Sequence, residues 1–360
     1  MLINQIYLTN WRNGETNGIS FSPETTLIWG ENAAGKTNLL EGIYFFAAGK
    51  SFRGCKDKEL IRFGCDGAAA DIAFESGGNK LTMGVRIKKG SKKSFIKNGA
   101  PISKLSEFLG AFRCVIFTPD HLELVKGAPE GRRRFIDMAI CQSFPRHVGA
   151  LNEYNRLLIQ KNAHLKGQNI SPELLDVYDE RMATLAATVS VNRKKYLATL
   201  EKSAAEFLLD MSEGREKLSL SYITQGEGES SAQICESYKK LFLEKRNAEI
   251  EKKQTLCGIQ KDDFSIFING KSAKLYGSQG QQRSVVLALK LAEGEISKTL
   301  TGEYPVFLLD DVLSELDEGR REYILERIKN RQVIITGCDE NLKDILTKAK
   351  IIKVENGKCL

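Results

Sequence analysis

A chain of 360 residues, 42% apolar and 28% charged, can bury the cores of two or three domains and has the composition of a globular protein. No run of about 18 apolar residues occurs, which excludes a helix crossing a bilayer. The N-terminal "MLINQIYLTNW" lacks the basic start and apolar block of a secretory signal, so none is expected.

The net charge of +7 is small, but basic residues cluster as "KKGSKK" (88–93), "GRRRF" (131–135), "NRKKY" (192–196) and "KKLFLEKR" (239–246). Clusters of this kind suit the phosphates of nucleic acid. The eight cysteines, at 55, 65, 114, 141, 235, 257, 338 and 359, include no pair with the spacing of a metal knuckle, and His121, His147 and His164 lie near none of them. Free thiols in a cytoplasmic protein are expected.

The first hundred residues read as strands. "NQIYLTNW" alternates with a two-residue period, "TLIWG" is a short apolar run, and "LTMGVRI" and "SFIKNG" have hairpin character. One helix interrupts them, from Lys36 to about Ala48, on the spacing of Leu39, Leu40, Ile43, Tyr44 and Phe46. "FRCVIF" is a further strand, ended by "TPD". From 121 to 255 the pattern turns helical. A helix opens at Ser171 with Pro172 in its first position, and Leu175, Met182, Val189 and Tyr196 then recur every seven residues. That seam needs a partner, which "SYKKLFLEKRNAEIEKKQ" can supply; it is long enough for a short arm, not an extended coiled coil.

Strands return from Asp263. "FSIFING" is a strand and turn, "QGQQRSVVLALKLAEGEISKTL" an amphipathic helix, "PVFLLDD" and "RQVIITG" buried strands, "ELDEGRREYILERIKN" a helix and "AKIIKVENGK" a terminal strand. This alternation predicts an α/β fold with a mostly parallel sheet covered on both faces. Residues 1–120 and 256–360 are expected to form one domain, with 121–255 inserted as a helical arm.

Three segments carry chemistry. Gly30-Glu31-Asn32-Ala33-Ala34-Gly35-Lys36-Thr37 fits the eight-residue phosphate loop at every defined position, with an apolar strand before it and a helix after it. The glycines let successive N–H groups converge on a phosphate at a helix N-terminus. Lys36 is placed to span the β- and γ-phosphates, and the Thr37 hydroxyl to ligate Mg²⁺. "PVFLLDD" ends a buried strand in two carboxylates, Asp310 to hold Mg²⁺ through water and Asp311 to orient or deprotonate an attacking water. In "YGSQGQQRS", Ser278, Gln279, Gly280, Gln281 and Gln282 open a helix and form a second anion-binding helix start. A chain that already has a phosphate loop needs a second such start only for a second nucleotide. The economical arrangement is a head-to-tail homodimer, each copy capping the triphosphate held by the other.

The order of phosphate loop, helical insertion, Ser-x-Gly-Gln-Gln helix and "LLDDVLSELD" resembles the ABC-type ATPase heads of the SMC and double-strand-break-repair class. Within that class the chain is similar to the RecF family of bacterial recombination mediators. The similarity covers "GENAAGKTNLLEGIYF", "KSFR", "VIFTPDHLELVKGAPEGRRRFIDM", "KDDFSIFINGK", "GSQGQQRSVVLALKLAE" and "FLLDDVLSELD". It implies an ABC-type ATPase head, a P-loop NTPase with a mixed or parallel sheet flanked by helices, carrying an inserted α-helical arm.

The resemblance also implies residue roles. Residues 30–37 would bind ATP, with Arg12 near the nucleotide, and Ser278, Gly280 and Gln281 would bind the γ-phosphate of the other copy. Asp310 and Thr37 would hold Mg²⁺, Asp311 would be the general base, and Ser314, Glu315, Leu316 and Asp317 would couple the two sites. It implies DNA repair and replication, a link to the damage (SOS) response, a duplex beside a single-stranded gap as target, and RecR, RecO and RecA as partners. Lys88, Lys89, Lys92, Lys93, Arg132, Arg133 and Arg134 are the candidate DNA contacts.

Three departures from the family pattern stand out. "GIQKDD" (258–263) replaces Gly-Pro-His-Arg-Asp-Asp, Gly337 stands near the place of the transporters' switch histidine, and no glutamine follows "VIF". Rival readings are an ATPase-coupled nuclease, for which about fifty residues after "LLDD" leave no domain, a long-armed SMC clamp, and a transporter subunit, disfavoured by the Gln-Gln signature.

Overall fold

The computed structural model describes residues 1–359. Strands β1 (Leu2–Thr9), β2 (Thr16–Ser20) and β3 (Thr25–Trp29) precede helix α1 (Lys36–Ala48). Gly49, at a φ of 65°, ends that helix with a left-handed cap whose N–H bonds the Phe45 carbonyl. Next come β4 (Gly67–Ser76), β5 (Asn79–Lys88), β6 (Ser94–Lys97), β7 (Ala100–Ile102), the single turn α2 (Leu105–Phe108) and β8 (Cys114–Phe117). A helical stretch follows: α3 (Glu123–Lys126), α4 (Pro129–Ser143), α5 (Pro145–Leu165) and α6 (Pro172–Met211), then β9 (Leu218–Ile223) and α7 (Ser231–Lys252). The chain continues through β10 (Asp263–Ile268), β11 (Lys271–Ser272), α8 (Ala273–Tyr276), α9 (Gln279–Thr301), β12 (Val306–Asp310), α10 (Glu318–Arg327), β13 (Val333–Gly337), α11 (Asn341–Ile345), β14 (Lys350–Glu355) and β15 (Lys358–Cys359).

Two six-stranded sheets enclose α1. The first, ordered β2-β1-β4-β5-β6-β7, is antiparallel throughout. The second is ordered β15-β14-β3-β13-β12-β8, and all but β15 run parallel. Helix α1 is apolar on nearly every side because both sheets cover it: Leu40, Ile43, Phe45 and Phe46 share one core with Ile6 and Phe74 of the first sheet and Ile28, Leu308 and Ile334 of the second. The alternate residues Leu27, Phe307, Leu309, Val333 and Ile335 face the opposite way, onto Leu287 and Leu291 of α9 and Ile324 of α10. Strands buried on both faces therefore read as unbroken apolar runs.

The middle of the chain departs from expectation in two ways. The seam of α6 has two partners rather than one: Met182 and Val189 pack with Tyr154 of α5 as well as Ile234, Tyr238 and Phe242 of α7. Further along α6, Tyr196, Leu200 and Ala204 pack instead on α9 and β10. In a stretch expected to be helical, β9 is a strand that pairs antiparallel with β10, from Leu218 opposite Ile268 to Ile223 opposite Asp263. Its hydrogen-bonding partner lies some forty residues away in sequence, so a local pattern does not reveal it.

Packing of α9 onto the parallel sheet fixes where the functional loops sit. A methyl group on Gly294 of α9 would come 2.4 Å from Cζ of Phe307 on β12, so helix and strand approach as only glycine permits. Gly294→Ala is expected to lower stability by about 1–3 kcal/mol through overpacking. Urea unfolding checks this, as a lower midpoint at unchanged slope.

Candidate functional site

Strand order builds the site. β13 lies between β3 and β12, pairing Thr336 with Ile28 on one side and with Asp310 on the other. The loop leaving β3 and the carboxylates ending β12 therefore meet at the same edge of the sheet, outside the carboxyl ends of parallel strands, where open α/β sheets bind ligands.

The loop is shaped by close approach. A methyl on Gly30 would lie 2.3 Å from the Val354 carbonyl of β14, and Gly35 holds a φ of 111° with Asn13 beside it. Gly30 N–H donates to the Gly337 carbonyl at 3.3 Å and Ala34 N–H to that of Glu31 at 3.2 Å. Lys36, 4% exposed, donates through Nζ to the Gly30 and Glu31 carbonyls at 2.8 and 3.0 Å. An ammonium has three protons, so Lys36 retains one for a ligand in the loop.

Asp310 is 6% exposed, and burial pushes its carboxyl above the usual range while hydrogen bonds from Thr37 and Thr336 oppose that shift. Both hydroxyls donate to Oδ1, each at 2.9 Å. Thr336 Oγ1 also accepts from Asp311 N–H at 3.0 Å. Asp311 adopts a φ of 53°, and its Oδ1 is buried without a hydrogen-bond partner. An unpaired carboxylate oxygen next to a hydroxyl–carboxylate pair is a hard-oxygen donor set that fits Mg²⁺ and a bound water. Among the described residues, no group of three or more His, Cys, Asp and Glu side chains is placed to hold a metal ion.

Ser278, Gln279, Gly280, Gln281 and Gln282 lie apart from this group. Ser278 is the exposed N-cap of α9, accepting from Gln281 N–H at 3.2 Å while the Gln281 side chain accepts from Ser278 N–H at 2.9 Å. Gln281 also reaches Glu216, and Gln282 the Ala273 carbonyl. None of their hydrogen bonds reaches residues 30–37. Ser314, Glu315 and Asp317 are likewise exposed, while Leu316 is buried beneath them.

Several expectations need correction. Arg12 does not extend freely toward the loop: its guanidinium forks onto buried Glu41 at 2.6 and 2.7 Å and also reaches Cys55 and the Glu59 carbonyl. The nearer neighbours of the loop are Asn13 and Arg53, which bond the two ends of the Asn38 side chain.

Among the basic clusters, Arg132 is buried and holds Asp263 with two bonds, Arg133 bonds the Asp262 carbonyl, and Arg134 bonds that of Ser51. These three arginines knit α4 to the rest of the fold and are not a free cationic face. Arg193 is buried too, between Asp137 and Asp262, and Arg246 pairs with Asp176 and Asp179. Lys93 donates to the Gly49 carbonyl and pairs with Asp57. Lys88 and Lys92 are exposed without an ion pair among the described residues, and exposed Lys89 reaches Asp66 only at 3.7 Å. All eight cysteines are free.

The departures have local reasons. A methyl on Gly337 would lie 2.3 Å from Leu342 Cδ1, so any side chain there requires Leu342 to move. In "GIQKDD", Gly258 has a φ of 116° with Tyr154 Oη at 2.0 Å from any Cβ, and exposed Lys261 has no ion pair among the described residues. Asp262 accepts from Arg193 and Tyr222, which joins the arm helix α6 to β9.

Known proteins of similar sequence share this fold. The family described as "RecF/RecN/SMC N terminal domain" matches residues 2–359. A DNA replication and repair protein RecF of Clostridium perfringens is 39% identical over 360 residues, covering 99% of each chain. That of Geobacillus kaustophilus is 38% identical over 367 residues, covering 99% of this chain and 98% of its own. The solved structure of the recombination mediator RecF with ATP superposes with a TM-score of 0.92 at 32% identity, covering 100% of this chain and 97% of that one. The Smc head of Pyrococcus furiosus shares the fold alone, with a TM-score of 0.56 at 17% identity.

Thr336 gave no signal in the sequence, yet it hydrogen-bonds both the Asp310 carboxylate and the Asp311 N–H. Thr336→Val is expected to raise the Mg²⁺ concentration for half-maximal nucleotide binding by about tenfold or more, as removing a supporting hydrogen bond does at other metal sites. Titration with a fluorescent nucleotide at varied Mg²⁺ measures it.

Proposed function

The chain belongs to the RecF/RecN/SMC family of ABC-type ATPases, in its RecF DNA replication and repair branch, and from that membership we propose an ATP-driven dimer that grips DNA at single-strand gaps. The observation that carries this reading is the division of the machinery. The phosphate loop, Thr37, Asp310 and Asp311 share one edge, while the serine-led start of α9 lies exposed and bonded elsewhere. A second copy brings the two halves together over each nucleotide.

In this reading the N–H groups of residues 30–37 and the Lys36 ammonium hold the triphosphate, and Ser278, Gly280 and Gln281 of the other copy cap its γ-phosphate. Thr37 and Asp310 hold Mg²⁺, which neutralises charge on the β- and γ-phosphates. Asp311 takes a proton from the attacking water as the water oxygen bonds the γ-phosphorus and the bond to the β–γ bridging oxygen breaks, releasing ADP and phosphate. Aspartate is one methylene shorter than the glutamate usual in such heads. A base held farther from its water works more slowly, so hydrolysis is slow and the closed dimer long-lived. Closing and opening change the grip on DNA, and with RecR and RecO the protein helps load the RecA recombinase. The head comprises 1–120 with 256–360, and 121–255 is its arm.

Sedimentation with and without ATP and gapped duplex tests the core of this reading. Asp311→Asn is expected to accumulate as an ATP-bound dimer and Lys36→Ala to remain monomeric; a monomeric Asp311→Asn in ATP removes the proposal. With Arg132 engaged internally, the DNA-facing role falls to Lys88, Lys89 and Lys92. Replacing all three with alanine is expected to weaken DNA binding at every sequence and to flatten the log–log salt dependence by about one unit for each phosphate no longer neutralised. Fluorescence anisotropy across a salt series checks it.

A further inference from the structure

The start of α9 and the loop 314–317 come from separate segments, yet two arginines fasten them together within one chain. Arg283 Nη1 donates to the Glu315 carbonyl at 2.7 Å. Arg320, in the first turn of α10, uses every edge of its guanidinium. Its Nε donates to Ser284 Oγ of α9 at 2.8 Å, and Nη1 pairs with the Asp317 carboxylate. Its Nη2 lies over Gly280, 3.1 Å from where a methyl on that residue would sit. Its backbone N–H bonds Asp317 Oδ1 at 3.0 Å, which caps α10. Gly280 sits inside α9 with no left-handed φ, so what a glycine supplies there is room for the guanidinium rather than a special backbone.

We propose that Arg320 is a positioning residue that locks the serine-led helix start to the 314–317 loop, so that the nucleotide of a second copy meets both as one preformed surface. The inference rests on the dimer proposed above. Its physical basis is the rigid fork of donors. Arginine reaches a hydroxyl, a carboxylate and the face of a glycine together, whereas a lysine ammonium is a single point charge and satisfies one of them. No hydrogen bond joins Arg320 to residues 30–37, so loading of nucleotide onto a single copy is independent of it.

The test compares wild type, Arg320→Ala, Arg320→Lys, Gly280→Ala and the Arg320→Ala/Gly280→Ala double variant. The readouts are fluorescent ATP binding, sedimentation in ATP and Mg²⁺, and steady-state phosphate release. ATP affinity of the monomer is expected to stay within twofold in every variant, and KM to do so in Arg320→Ala and Arg320→Lys. Dimerisation and kcat are expected to fall about tenfold in all four variants, the cost of misplacing one positioned group. The double variant is expected to be no worse than either single one, because the methyl of Gly280→Ala, 3.1 Å from Nη2, presses on the same guanidinium. Should Arg320→Ala not fold, Ser284→Ala removes the acceptor of Nε and takes its place. Normal dimerisation and turnover in Arg320→Ala, full rescue by Arg320→Lys, or additive defects in the double variant each overturn the inference while leaving the dimer intact. A wild-type chain that stays monomeric in ATP overturns the dimer and this inference with it.

Discussion

Asp310 is the group on which the site's geometry turns. A carboxylate nearly removed from water at the end of a buried strand is costly unless polar neighbours hold it. Here two threonine hydroxyls, one from the phosphate loop and one from the adjacent strand, converge on a single oxygen. The same Thr336 hydroxyl receives the N–H of Asp311, so one atom ties the Asp310 carboxylate to the backbone of the next residue. Because β13 separates β3 from β12, the register of three parallel strands sets the Thr336 distance and brings the loop that carries Thr37 to the same edge.

The place where residues 262–263 meet α4, α6 and β9 follows a comparable logic with ions. Asp262 is fully buried, and burial raises its carboxyl above the usual range while Arg193 and Tyr222 bind it. Next to it, Asp263 takes both arms of Arg132. Breaking such a pair leaves an uncompensated charge, so these residues tie α4 and α6 to the start of β10. Several arginines that look like a nucleic-acid face in the linear chain, Arg132, Arg133 and Arg193, are therefore consumed in holding segments of the fold together, while Lys88 and Lys92 at the end of β5 and in the turn after it stay exposed.

Local signals were legible where local physics decides. Helix α1 follows directly from a glycine-rich turn and an apolar periodicity, and β3, β12 and β13 show as apolar runs because both their faces are covered. Ser278 and Gln281 satisfy a capping box whose spacing alone marks a helix start. Thr336 was not legible, since an isolated threonine in an apolar strand acquires meaning only from its neighbours across the sheet. Strand β9 was hidden for the same reason, and Arg320 became visible only once Gly280 and Ser284 lay beneath it.

What the chain determines by itself is the set of parts: a cradle for phosphate, a pair of carboxylates, a second helix start for an anion, and an apolar seam for an arm. These rest on spacing between near neighbours, where backbone geometry and periodicity act directly. Only the tertiary structure decides which charges remain free and which are paired within the protein, and which hydroxyls meet which carboxylates. Those outcomes depend on pairings between segments tens to hundreds of residues apart. No local pattern encodes them, because burial and strand order, not residue type, set the energy of a charge.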